Sequence, residues 1–212
     1  MSKSKTSRTG LRRQILDATR SLLLQDGVKN LSMRKIAGEI GCKAPSIYYH
    51  FENKAALIQA LVEEGHQMLF ATMEGAVSRY EDPLQRLEAY IRAYVSFGLE
   101  KPVYYEIMFM LGADASGYDP QESFRHAKTS QTLAITVFQE AKRKGRIKAD
   151  DIVRATGAIG IILHGYLALL LNYADNPPFH PEEMLDYMID QVFLSYGVGG
   201  TTFNRQPLDA AG

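Results

Sequence analysis

The 212-residue chain has no tryptophan and a single cysteine, Cys42. One cysteine excludes an internal disulfide, as expected in a reducing cytosol. Gly-x-Gly-x-x-Gly, Walker-type and Gly-x-Ser-x-Gly patterns are absent. With them go the common phosphate cradles and the nucleophile elbow, so an enzyme is not expected. His66, His126, His164 and His180 show no paired ligand spacing on one helix, and neither a metal site nor a cofactor is expected. Strand-like alternation is scarce, and no Asn-Gly or Asp-Gly separates two strand-like runs. That leaves no signal for a β-hairpin. The N-terminus, MSKSKTSRTG, is basic but lacks the apolar run of a signal peptide. There is also no net charge, with 24 Lys+Arg against 24 Asp+Glu.

What is present is unevenly spread. Residues 1–56 carry 11 Lys+Arg and 4 Asp+Glu, a net of +7, and the remainder carries −7. A small basic module joined to a larger acidic one points to a polyanionic partner for the first alone. Apolar residues make up 46% of the chain, enough for a packed core. Helical periodicity runs throughout. Leu11, Ile15, Ala18 and Leu22 share one face of a first helix, 11–25, with Gly27 just beyond its end. Ser32 caps a short helix stopped by Gly41, and Pro45 opens another. Asn53 caps a long helix toward Tyr80. Further helices are expected at about 84–100, 102–111, 121–144, 152–173 and 181–196, with loops at 113–120 and 175–178.

The short stretch KAPSIYYHFENK, residues 43–54, carries a proline, three aromatic rings and a histidine. With Met33–Gly41 before it, it forms a helix-turn-helix pattern. Ile36, Ile40, Cys42 and Ile47 fall where two crossing helices need apolar contacts, and Phe51 reads as packing. Cys42 reads as a small core residue, with no resolving cysteine to make it a redox sensor. Lys43, Ser46, Tyr48, Tyr49 and His50 surround Pro45 and offer donors and flat rings, suited to phosphates and base edges in a major groove. Ala44, placed at the cap, offers no side-chain oxygen to the helix N–H groups. Arg34 is long enough to reach a guanine, and Lys54 adds a backbone clamp.

Residues 11–62, with "IA…IG", "PSIYYHF" and "NKAAL", resemble the N-terminal domain of the tetracycline-repressor (TetR) family of bacterial transcriptional regulators. The resemblance implies an all-α homodimer of about nine helices per chain. Its first three helices bind double-stranded operator DNA, and the larger C-terminal domain binds a small effector and dimerises. On this basis the DNA-binding domain spans 1–54, ordered from about residue 9. The effector and dimerisation domain spans 55–197, followed by a flexible tail, 198–212. Ser32 and Lys54 match phosphate contacts. Arg34, Pro45, Ser46, Tyr48 and His50 match positions that touch bases or the adjoining backbone, and Lys43 and Ala44 lie where operator preference is set. KPVYYEIMF and ILHGYLALLL resemble a C-terminal subgroup named for a Trp-His-Gly signature, with Leu163-His164-Gly165 in its place.

The C-terminal half concentrates aromatic and methionine side chains that tolerate varied guests. Phe70, Met73, Tyr94, Phe97, Tyr105, Met108, Phe109 and His164 are the candidate effector contacts. Residues 155–174 carry no charge and are long enough to be a membrane span. Three glycines, a histidine and an asparagine within them favour a buried or dimer-buried helix instead. Leu163, Leu167 and Leu170, with Leu185, Met188, Ile189 and Val192 of the last helix, are the expected dimer interface. The reading is a cytoplasmic, effector-released repressor on a palindromic operator, with no membrane partner. The alternatives are an enzyme, which lacks a visible reaction centre, and a constitutive DNA binder with a filled C-terminal core.

Overall fold

A computed structural model of the chain describes residues 8–110 and 120–198. Helices are the only regular structure among the described residues. They are α1 (Arg8–Asp26), α2 (Met33–Glu39), α3 (Ala44–Tyr48), α4 (Lys54–Val77), α5 (Pro83–Glu100), α6 (Pro102–Tyr105), α7 (Pro120–Arg143), α8 (Ile152–Asn172) and α9 (Pro181–Ser195). The all-α expectation therefore holds, with nine α-helices among the described residues. A 3-10 turn, Val28–Asn30, follows α1, and α6 runs on as a π turn, Glu106–Met110, where the sequence predicts continuous α-helix. The loop expected at 113–120 falls outside the described residues but for Pro120, and the expected tail does so but for Val198.

Local chemistry sets the helix starts. Ser32 Oγ accepts the Lys35 N–H at 3.2 Å, Asn53 Oδ1 that of Ala56 at 2.8 Å and Asp151 Oδ1 that of Arg154 at 2.9 Å. Each satisfies one of the donors that an N-terminus leaves without an intrahelical partner. Proline opens α5, α6, α7 and α9, where a missing N–H is harmless.

Contacts divide the chain into two compact units, Met1–Met68 with Lys101–Ala127, and Leu69–Glu100 with Lys128–Gly212. The cut falls inside α4. In the first unit α2 packs on α1 and α3, and α6 packs on α1. Ile15, Ile36, Ile47, Leu57, Ile58 and Leu61 are fully buried there. Each such side chain stabilises the fold by about 1.5–3 kcal/mol. Arg20 Nη1 donates to the Tyr104 hydroxyl at 2.8 Å, and Arg13 Nη1 to Glu64 Oε1 at 2.7 Å, adding polar ties from α1 to α6 and α4.

In the second unit α5 packs on α8. Gly98 permits that approach, because a Cβ there would lie 2.7 and 2.8 Å from the two methyls of Leu167. Arg92 bridges Glu88 on its own helix and Asp186 on α9, at 2.7 and 2.5 Å. Arg86 pairs with Glu140, linking α5 to α7. Among the described residues α8 is the single helix long and apolar enough to cross a membrane. Ala155, Thr156, Ile159, Leu163, Tyr166, Leu167 and Leu170 are buried within the unit, so one face of α8 belongs to its core.

Candidate functional site

The turn between α2 and α3 is built on Gly41, whose φ of +65° an L side chain rarely adopts. Cys42 N–H bonds to Ala37 O at 2.9 Å and Gly41 N–H to Gly38 O at 3.2 Å. These are the two hydrogen bonds of a Schellman end, and they fix the direction in which α3 leaves α2. Ile36 and Ile47 are fully buried, and Ile40 and Cys42 are half-buried. Cys42 Sγ lies 3.6 Å from Lys43 O. The N-cap of α3 is Lys43 and its first residue Ala44, one position earlier in the helix frame than expected, and no side chain caps it.

The two-helix element leaves the sequence-predicted contact residues at the surface. Ser32, Arg34, Lys43, Pro45, Tyr48 and Tyr49 are exposed, and Ala44, Ser46, His50 and Lys54 are half-buried. Tyr48 and Tyr49 are 53% and 65% exposed, a costly placement for two large rings on a helix five residues long. Tyr49 meets His50 edge to face with ring centroids 5.3 Å apart. Phe51 is buried instead, with the Arg12 guanidinium 5.1 Å over its ring. Lys54 has a structural tie that sequence reasoning missed. Its Nζ donates to Val28 O at 2.5 Å, and burial lowers its pKa. The ammonium is thus held against the 3-10 turn and is less free than a flexible phosphate clamp.

The eight candidate effector contacts divide between the two units. In the first, Tyr105 and Met108 are buried, and Phe109 packs on Tyr105 at 5.2 Å and edge to face on His66 at 5.7 Å. In the second, Met73 and Phe97 are buried, Phe70 is half-buried, and the Tyr94 hydroxyl lies 3.5 Å from His164 Nδ1. Burial lowers the His164 pKa and favours the neutral ring. The second unit also holds a cavity of about 30 Å³ lined by α5, α7 and α8. Of the eight candidates, it includes only Tyr94. Leu87, Tyr90, Phe138, Thr156 and Ile159 line it as well. A usable signal was present in the spacing: 87, 90 and 94 share one face of α5, and 156, 159 and 163 one face of α8.

Residues 15–61 match the model for bacterial regulatory proteins of the tetR family. Residues 87–192, half of the chain, match the tetracyclin repressor-like C-terminal domain. The chain belongs to the TetR family. Over 189 residues it is 26% identical to YobS, an uncharacterized HTH-type transcriptional regulator of Bacillus subtilis, covering 89% of this chain and 93% of that one. Over 53 residues it is 40% identical to the class D tetracycline repressor protein of Escherichia coli, covering 25% of this chain and 24% of the repressor. A solved protein of unknown function from Rhodococcus sp. RHA1 superposes with a TM-score of 0.76 at 27% identity, over 92% of this chain and 99% of that one.

In this TetR-family protein the C-terminal match gives no support to the Trp-His-Gly subgroup suggested by Leu163-His164-Gly165. The expected dimer residues have this placement in the single chain. Leu163, Leu167, Leu170, Leu185, Ile189 and Val192 are buried inside a single chain, and Met188 is half-buried. The first six belong to the core of the single chain. The opposite faces of the same helices carry the exposed apolar groups: Ile161, Ile162 and Leu169 on α8, Tyr187 and Leu194 on α9. The ambiguity has a physical origin. α8 is apolar on every side, so its sequence does not say which stripe faces its own core.

Proposed function

We propose that this TetR-family regulator is a repressor that holds a palindromic operator as a symmetric dimer and is released by a small, largely apolar effector. The observation that carries the DNA-binding half is the display of Lys43, Tyr48 and Tyr49, with half-buried Ser46, on and beside α3, which leaves α2 through a glycine turn. Two adjacent exposed rings on so short a helix make a small patch of the kind that marks an interaction site. Arg34 and Lys43 supply charge for phosphates and guanine edges, and the rings and hydroxyls of Ser46, Tyr48 and Tyr49 supply base contacts. Two such helices in a dimer reach successive major grooves about 34–36 Å apart.

The exposed apolar face of α8 and α9 is the surface for the second copy. An isologous contact brings Ile161, Leu169, Tyr187 and Leu194 against the same set. The effector acts from the second unit by favouring a dimer shape with the wrong spacing of the reading heads. A coupling of about 1–3 kcal/mol lowers operator occupancy several-fold to about a hundredfold. Such a protein works in the cytoplasm, where the operator is.

The small cavity favours one rival reading, a constitutive DNA binder whose second unit accepts no ligand. Selection of fragments from sheared genomic DNA by the purified dimer at two salt concentrations tests the main proposal. Enrichment of a palindrome, weakening with salt through phosphate contacts, supports it. A folded dimer that enriches no sequence counts against it. A palindrome that no compound releases leaves the rival standing.

A further inference from the structure

We propose that the cavity between α5, α7 and α8 is the effector seat, and that it selects an uncharged, mainly apolar molecule bearing one hydroxyl or carbonyl oxygen. This rests on the effector-released reading above and names the chemistry of the ligand. The wall is Leu87, Phe138, Ile159 and Leu163, closed by the rings of Tyr90 and Tyr94. No lining residue is charged. The charged groups nearest along α5 are engaged elsewhere: Glu88 with Arg92, Arg92 with Asp186, and Arg86 with Glu140. A carboxylate or ammonium in this space would meet no partner, and an unpaired buried ion is strongly disfavoured.

One lining hydroxyl, that of Tyr90, is under-used, and a second polar group lies behind it, outside the lining. Ser130 is buried, and its Oγ has no hydrogen-bond partner. The Tyr90 hydroxyl donates to Ser130 O across 3.4 Å, at the long limit of a hydrogen bond. Burial pushes the Tyr90 pKa up to about 12, so the phenol keeps its proton as a donor. A ligand oxygen placed beside Tyr90 gives its hydroxyl a shorter partner than Ser130 O. Buried polar groups left wanting are rare and need a reason. A neutral oxygen supplies one.

Gly160 lies at the outer edge of the cavity. It lines the cavity, is exposed on its outer side, and a Cβ built there meets no atom within 4 Å. The cavity of about 30 Å³ holds a water or two. A guest of probe size therefore enters only by displacing lining side chains. That opening lowers affinity by the fraction of time the site is open, so simple probes bind weakly and selectivity is the informative readout.

The test is calorimetric titration of the dimer with four matched probes: 4-ethylphenol, 4-ethyltoluene, 4-ethylbenzoate and 4-ethylbenzylamine. The phenol is expected to bind about tenfold or more tighter than the toluene, and the two ions about a hundredfold more weakly than the phenol. Tyr90→Phe keeps the volume and removes the donor, so it should erase the advantage of phenol over toluene. Gly160→Leu should block all four probes with an equal or higher Tm, which separates plugging from misfolding. Equal binding of the benzoate or the benzylamine, a phenol advantage that survives Tyr90→Phe, or no phenol binding overturns the proposal. Operator binding is measured in the same preparations. Its absence sinks the regulator reading and leaves the probe selectivity to be judged separately, whereas operator binding without phenol selectivity sinks only the ligand class.

Discussion

Ile161 offers the sharpest test of where two copies meet. Its side chain is 75% exposed in the single chain, in the middle of the outer face of α8. Fully burying an isoleucine is worth about 1.5–3 kcal/mol, so the exposed three-quarters leaves about 1–2 kcal/mol to gain on association. In an isologous dimer every residue counts twice, giving about 2–4 kcal/mol for the pair. Ile161→Arg forfeits that and adds two charges that must be desolvated. The dimer dissociation constant should rise by about a hundredfold or more. Sedimentation velocity over a dilution series reads this directly, with circular dichroism to show that the helices persist. Leu167→Ala is the contrast. Leu167 is fully buried within its own chain, so its truncation should leave a cavity and lower the unfolding free energy by about 2–5 kcal/mol. Its main effect is on Tm, seen before dissociation is. An Ile161→Arg protein that stays dimeric at every concentration, with dissociation unchanged, refutes the placement of the interface on this face.

Tyr48→Ala should weaken operator binding about tenfold or more while leaving Tm within a degree or two, because the ring is largely exposed. A gel-shift titration beside a melting curve decides it, and unchanged affinity removes Tyr48 from the reading face. Gly98→Ala should destabilise by about 1–3 kcal/mol despite the better helix propensity of alanine, since fully buried Leu167 has nowhere to retreat. A stable variant in urea unfolding would show that α5 and α8 have slack. For His164, burial lowers the folded-state pKa below the ordinary value of 6.5. The unfolded chain therefore binds the proton more readily, and the stability tied to the neutral ring is complete above about pH 6.5 and lost as pH falls from there through the folded-state pKa. Urea midpoints measured from pH 7.5 down to 5.5 should fall more steeply for the wild type than for His164→Gln, and parallel slopes would contradict this.

Much of the fold is written locally. Ser32, Asn53 and Asp151 cap helices because a short oxygen-bearing side chain satisfies an N–H one turn on, and the prolines at 83, 102, 120 and 181 open helices for want of an N–H. Gly41 forces the turn that makes α2 and α3 a reading head, and PSIYYHF gives that head its exposed rings. These features need only neighbours in sequence, so the sequence alone determines them, the all-α class and the TetR-family resemblance. Other features depend on which distant groups come together. The uncharged helix α8 offers several equivalent stripes, and only packing against α5 decides that Leu163, Leu167 and Leu170 turn inward and Ile161 outward. The π turn at Glu106–Met110 and the hold of Lys54 on Val28 O have no local signature. Nor does the hydrogen bond from Tyr90, in the lining of a small apolar cavity, to Ser130, 40 residues on. Burial is a property of the assembled core, and no helix carries it alone.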